Sequence, residues 1–327
     1  MNSYRASETT TFGRINCATC HSSIHTTYTT ADLPALSTVA AVSMTMWGGN
    51  KTIDLPQKGG ISNLCVKCHQ PRPFTNSATD KNLLDYAGLV STPNAVFYDA
   101  AQAVNVLKPS YRTHTHYGTV GAIFAGIGGV EFPGIAYTNS VHTTLAACQD
   151  CHMAPINNRA GGHLFFAIGN FKGCNTAGCH ESAPLTASST KFTATRDAVK
   201  TLLNQLASKL QIGGVDIMNR NSDAEANLWI GSTTNNYDGY LNIYDPITNP
   251  SGQTYNTSSF RFTGTPNVKT WSADQIAYNA TLPLITLTNA QMGAIINFQL
   301  CLREYSLGIH NTAYTTALLT NTIAALP

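Results

Sequence analysis

The sequence predicts mostly loops and short helices over residues 1–180, organised around four cysteine–histidine motifs, and a mixed helix and loop part over residues 181–327. Three observations lead there. Paired cysteines closed by a histidine occur four times, all before residue 181. Charged residues make up 11% of the chain, against about 25% in an average soluble domain. Helical apolar spacing is recognisable only after residue 181.

The motifs are Cys17-Ala-Thr-Cys20-His21, Cys65-Val-Lys-Cys68-His69, Cys148-Gln-Asp-Cys151-His152 and Cys174-Asn-Thr-Ala-Gly-Cys179-His180. Three are C-x-x-C-H; the fourth has two extra spacer residues. C-x-x-C-H is the pattern of covalent c-type heme attachment, in which two thiols add across the heme vinyl groups and the histidine reaches the iron. A zinc knuckle or a redox disulfide accounts for one isolated C-x-x-C. Neither needs a histidine directly after the second cysteine, and here all four motifs carry one. The reading is a multiheme c-type cytochrome with four hemes (heme C, iron). The eight motif cysteines are tethers, and His21, His69, His152 and His180 are proximal iron ligands. The hemes then supply much of the core, as metals do in small domains. Motif starts at 17, 65, 148 and 174 are too irregular for an internal repeat. Cys301, the ninth cysteine, falls in a helical pattern and reads as a buried small hydrophobe.

Six histidines remain as distal candidates: His25, His114, His116, His142, His163 and His310. Four bis-His irons use four of them. His142 and His163 bracket the third motif. His114 and His116 alternate, so they share one face of an extended segment, unless a turn sends them to two different hemes or one is a surface residue; His116 is the preferred ligand. His25 follows His21 by one helical turn and reaches a neighbouring heme, in this chain or another subunit. His310 would fasten the C-terminal part onto the array. Met44, Met46, Met153, Met218 and Met292 are read as filler rather than ligands.

The remaining elements follow in order. Tyr117–Phe132 carries seven glycines or alanines and reads as backbone close to a heme face, or as a glycine-rich loop. Val199, Leu202, Leu203, Leu206 and Leu210 fall at helical spacing, with Gly213-Gly214 as a stop. Residues 215–271 read as loops with short strands. Ser272–Gln275 and Thr288–Gln291 resemble capping boxes. Met292 to Tyr305 suggests an amphipathic helix ending near Gly308, and Thr312–Ala324 a last short one.

A net charge of +2 gives no basis for nucleic acid as a partner. Gly118–Val130 is the longest apolar stretch, below the roughly 20 residues of a membrane span. Residues 1–16 contain no apolar signal core. Heme attachment outside the cytoplasm therefore leads us to expect that a leader has been removed.

Several strings carry a resemblance. Thr115 to Phe132, Tyr137 to His142, Cys148 to Pro155, Gly161-Gly-His163 and Gly308-Ile-His310-Asn resemble extracellular tetraheme cytochromes of the OmcE type. The likeness is densest over 111–180 and 290–315. It implies bis-His hemes in a continuous stack and identical subunits joined head to tail in an extracellular filament. It also implies electron delivery to external acceptors such as minerals. In that family a histidine beside the first motif ligates the terminal heme of the next subunit, a role that falls on His25 by position. No enzyme activity follows. The alternatives are a multiheme reductase of the nitrite type, with Arg112, Arg159 and Lys172 as its nearby cations, and a discrete periplasmic carrier.

Overall fold

The computed structural model describes residues 17–22, 36–73, 84–98, 115, 118–212, 215–221, 236–241, 255–256, 261–262 and 286–327. His25, His114, His116, Arg112 and the Ser272–Gln275 capping box lie outside them. Among the described residues, six short helices serve the first part: α1 (Cys17–Cys20), α2 (Gln57–Val66), α3 (Tyr86–Ser91), α4 (Val120–Ala125), α5 (Val141–Leu145) and α6 (Cys148–His152). Three longer described helices follow: α7 (Thr190–Lys209), α8 (Asn289–Leu302) and α9 (Thr312–Ala325). Among the described residues, strands pair only in twos. These pairs are β1 (Val42–Ser43) with β2 (Thr52–Ile53), β3 (Val96–Tyr98) with β10 (Leu287–Thr288) and β4 (Gln211–Ile212) with β5 (Val215–Asp216), then β6 (Met218–Asn221) with β7 (Asn236–Leu241) and β8 (Tyr255–Asn256) with β9 (Arg261–Phe262). All are antiparallel. The result is a mixed fold of helices and small sheets. No helix among the described residues is long and apolar enough to cross a membrane.

The long helices begin where their caps dictate. Thr288 Oγ1 accepts from Gln291 N at 3.2 Å, and Gln291 Oε1 accepts from Thr288 N at 2.9 Å, which completes the capping box read from the sequence. Asn311 Oδ1 caps α9 by accepting from Tyr314 N at 3.3 Å. Helix α7 starts at Thr190, a full nine residues before the apolar spacing.

Two expectations need correction. Helix α8 is not amphipathic: Ala290 and every residue from Met292 to Leu302 are buried. It is the central helix, contacted by α3, α7, α9 and β7, so no side is left for water. Its neighbours Leu203, Leu206, Phe132, Tyr314 and Leu318 share one hydrophobic core with it. Met46, Met218 and Met292 belong to that core, while Met44 joins a smaller cluster with Ile53, Val66 and Phe124. The 117–132 segment, in turn, contains the helix α4, stopped by Gly126 in the left-handed region at φ 69°. Two of its glycines approach protein atoms closely. A Cβ on Gly121 would stand 2.5 Å from the His69 carbonyl oxygen, and one on Gly129 2.5 Å from Leu318.

Around these helices the chain runs as loops, whose backbone groups still need partners. Buried side-chain amides supply them. Asn297 accepts from Val130 N at 2.8 Å and donates to Val130 O at 2.7 Å and to Thr322 Oγ1 at 2.8 Å. Asn321 does the same for both backbone groups of Ile135. Gln299 accepts from Thr115 N at 2.7 Å and donates to Gly239 O at 2.8 Å. Asn311 ties Ser140, Ile123 and Phe124 to the start of α9. Replacing Asn297 by Ala strands two buried backbone groups of Val130. The expected loss is about 3 kcal/mol, read as a lowered denaturation midpoint, and an unchanged midpoint would contradict this account.

Candidate functional site

The three C-x-x-C-H motifs and the longer fourth one close by a shared device. His21 N donates to Cys17 O at 2.9 Å and His69 N to Cys65 O at 3.0 Å. The third motif is itself the helical turn α6. In the fourth, His180 N still donates to Cys174 O, at 3.0 Å, although two more residues intervene. The extra length is absorbed in a turn in which Cys179 N bonds Thr176 O and Gly178 takes φ 80°. One spacer residue also has a task of its own. Asn175 accepts from Leu185 N at 2.7 Å and donates to Leu185 O at 3.0 Å, which anchors the loop beyond the motif.

None of the nine cysteines is paired in a disulfide, and Cys301 is fully buried as expected. Motif cysteines meet across motifs. A hydrogen bond from Cys65 pulls the Cys148 thiol down to about 6, against the opposing effect of burial. Cys65 is pushed up by the same contact. Cys151 and Cys174 form a second such pair, with Cys174 pulled down to about 7. The third motif therefore touches the second through one cysteine and the fourth through the other.

The histidines come in pairs with one recurring separation. Ring centroids of His21 and His163 are 6.3 Å apart, those of His142 and His180 6.2 Å, and those of His152 and His310 6.2 Å. Each pair joins a motif histidine to a distal candidate. A metal–imidazole bond is about 2.0 Å and the ring centre lies about 1.1 Å behind the nitrogen, so trans ligands of one metal have centroids roughly 6 Å apart. His142 and His163 bracket the third motif in sequence, yet they pair with the fourth and first motifs.

The ring nitrogens are oriented too. His142 Nδ1 meets Ile309 O at 2.8 Å and His152 Nδ1 meets Phe165 O at 2.9 Å. A carbonyl can only accept, so Nδ1 carries the proton and Nε2 keeps its lone pair for a metal. His310 Nδ1 meets Glu304 Oε2 at 2.6 Å. Burial lowers the pKa of His152 and of His180, which favours the neutral, ligating form. Desolvation, then nearby His152 and His310, lowers that of His69.

Local backbone explains how His163 is presented. Gly161, at φ 93°, backs onto Ala154 O, where a Cβ would stand 2.3 Å away. The chain then turns through Gly162 to Phe165, which holds φ 55° without being glycine. That strained residue supplies the carbonyl for His152. Among the described residues, Ile156, Leu164, Phe165, Phe166 and Ile168 are all at least half exposed, as are Val141 and Leu145 beside His142. An apolar surface at paired histidines suits the flat apolar faces of a porphyrin.

No cluster of three or more His, Cys, Asp or Glu able to hold a metal ion occurs among the described residues. Two imidazoles per site leave four equatorial positions, the number a porphyrin fills. Thr115, between His114 and His116, is fully buried and held by Gln299 and by Arg303 Nη1 at 2.6 Å. Gly118 passes the second motif, where a Cβ would stand 3.4 Å from Cys68 O. Sequence reasoning missed Glu304, Asn175 and the pairing itself, because none of these contacts follows a local spacing rule. No protein family, curated protein or solved structure matches the chain.

The Asn175–Leu185 pair is the support of the long motif. Asn175→Ala is expected to raise amide hydrogen exchange at Leu185 by tenfold or more. An unchanged rate there would show that the loop is held by something else.

Proposed function

We propose that this protein transfers electrons through four covalently attached c-type hemes with bis-His coordination. The observation that carries the reading is the three histidine pairs at 6.2–6.3 Å, each with one member from a cysteine motif. Bound heme supplies a one-electron centre, and six-coordinate iron changes its geometry little with oxidation state. The chain's own residues do the rest. Cys17, Cys20, Cys65, Cys68, Cys148, Cys151, Cys174 and Cys179 are the tethers. Carbonyls of Ile309 and Phe165 orient two imidazoles, and the apolar side chains around His142 and His163 keep water from the faces.

His69 is the motif histidine for which the described residues show no such pair. Gly118, two residues after His116, passes the second motif beside Cys68 O, and this supports His116. The resemblance to filament-forming cytochromes gives that place instead to His25 of an adjoining subunit. We favour the filament, exported to the cell surface or beyond, with extracellular acceptors such as minerals at its end. A ligand crossing between subunits would couple assembly to coordination.

Intact mass is expected to exceed the polypeptide by four hemes, and optical spectra to be wholly low-spin. A gain of three hemes removes the fourth motif, and a high-spin component points to a reductase. Ligand planes add a finer signature. His142 and His180 stand at 76°, whereas His152 and His310 stand at 16°. Perpendicular planes leave two iron d orbitals nearly degenerate, so the paramagnetic resonance spectrum should contain a strongly anisotropic low-spin signal beside a rhombic one.

His25→Ala is expected to abolish polymerisation and alter one heme. Normal filaments with unchanged spectra would refute the crossing ligand. A monomer altered by His116→Ala alone would identify a discrete carrier.

A further inference from the structure

The partners of the three oriented imidazoles differ in kind. His142 and His152 donate to neutral carbonyls. His310 faces a carboxylate, Glu304 Oε2, at 2.6 Å, and the Glu304 side chain has no exposure to solvent. At the other extreme, His21 Nδ1 is buried without a hydrogen-bond partner among the described residues.

The Glu304 carboxylate is itself built in. Oε1 accepts from Gly308 N at 2.9 Å, and Oε2 also accepts from Ser306 Oγ at 2.6 Å. Ser306 Oγ in turn accepts from His310 N at 3.0 Å, which closes a ring around the histidine. The loop that does this carries two non-glycine residues in the left-handed region, Tyr305 at φ 62° and Leu307 at φ 56°, before Gly308 at φ 87°. A helix end needs only one such residue to stop. The extra strain holds a carboxylate against an imidazole in the interior.

We propose that Glu304 sets the redox potential of the iron between His152 and His310 and makes it the most reducing of the three described sites. This rests on the reading of His310 as an axial ligand. A carboxylate drawing on the Nδ1 proton gives the imidazole imidazolate character and a more basic Nε2. A stronger donor and a buried negative charge both favour the ferric ion, which carries one more positive charge than the ferrous. No proton changes owner. With heme bound, this site would pass one electron to a neighbouring heme, its iron going from ferrous to ferric as the neighbour is reduced. Because the third motif touches both the second and the fourth, this step in potential falls inside the array, not at its end.

Glu304 is a positioning residue in this account, and its test is spectroelectrochemical titration of the holoprotein. Glu304→Gln is expected to shift one of four oxidised-to-reduced ratios tenfold, a rise of about 59 mV for a one-electron couple. Heme content and low-spin spectra should stay as in the parent. Ser306→Ala acts in the opposite direction. It releases Oε2 from a competing hydroxyl, strengthens the bond to Nδ1 and lowers the same midpoint. Should Glu304→Gln fail to load heme, Ser306→Ala decides alone: a fall in one midpoint supports the proposal, and a rise or no change overturns it. Four unmoved midpoints in a loaded Glu304→Gln protein also overturn it. His310→Ala separates the two levels of the argument. If it leaves every iron low-spin, the ligand reading itself fails. If it turns one iron high-spin while Glu304→Gln moves nothing, only the role of Glu304 fails.

Discussion

An asparagine side chain offers one acceptor and two donors on a planar group much like a peptide, and here that group stands where a neighbouring strand would stand. Asn297 pairs with both backbone groups of Val130, Asn321 with both of Ile135, and Asn175 with both of Leu185. A loop gains a two-bond ladder rung without a second strand. Buried backbone left without such partners would cost a few kcal/mol per group, more than loops of this length can offset by packing. The burial of Asn297 and Asn321 on helices α8 and α9, with Asn175 half-buried in the fourth motif, is what lets a loop-rich polypeptide keep a fixed shape.

The candidate site inherits that fixity. Asn311 holds Ser140, one residue before α5 and His142, and caps the helix that follows His310. Two histidines from distant parts of the chain are thus referred to one side chain. The Ile309 carbonyl then orients His142, and His310 follows immediately, so the pairs that include the third-motif and fourth-motif histidines share a single turn of backbone. On the other side Phe165 serves two pairs. Its carbonyl orients His152, and it lies two residues beyond His163, the partner of His21. Neighbouring pairs are coupled through short backbone segments rather than through long side chains.

The electrostatics match this plan. Neutral carbonyls orient His142 and His152, which leaves Nε2 of each free to ligate. Glu304 departs from that pattern. A fully buried carboxylate is expensive unless hydrogen-bonded, and Ser306, Gly308 and His310 all donate to it. Cys301 sits one turn earlier on α8, and burial, then Glu304, raises its pKa, so it remains an inert thiol.

Much of this was legible in the sequence, and the remainder had a physical reason to be hidden. The cysteine motifs are local patterns, and the chemistry proposed for them rests on residue type and spacing. So do the capping box at Thr288, the terminal helix from Thr312 and the buried character of Cys301. Spacing misjudged α8, because periodicity reports a helix's polar side and this helix has none to report. It also missed α4, where Gly121, of a type that usually weakens a helix, is needed for close approach to His69. The sequence alone determined which histidines belong to motifs and which stand free to meet them. Only the tertiary structure decided that His21 meets His163, His180 meets His142 and His152 meets His310. Those partners come from loops joined through side-chain amides and strained turns, and a contact made by folding distant loops together leaves no period in the chain.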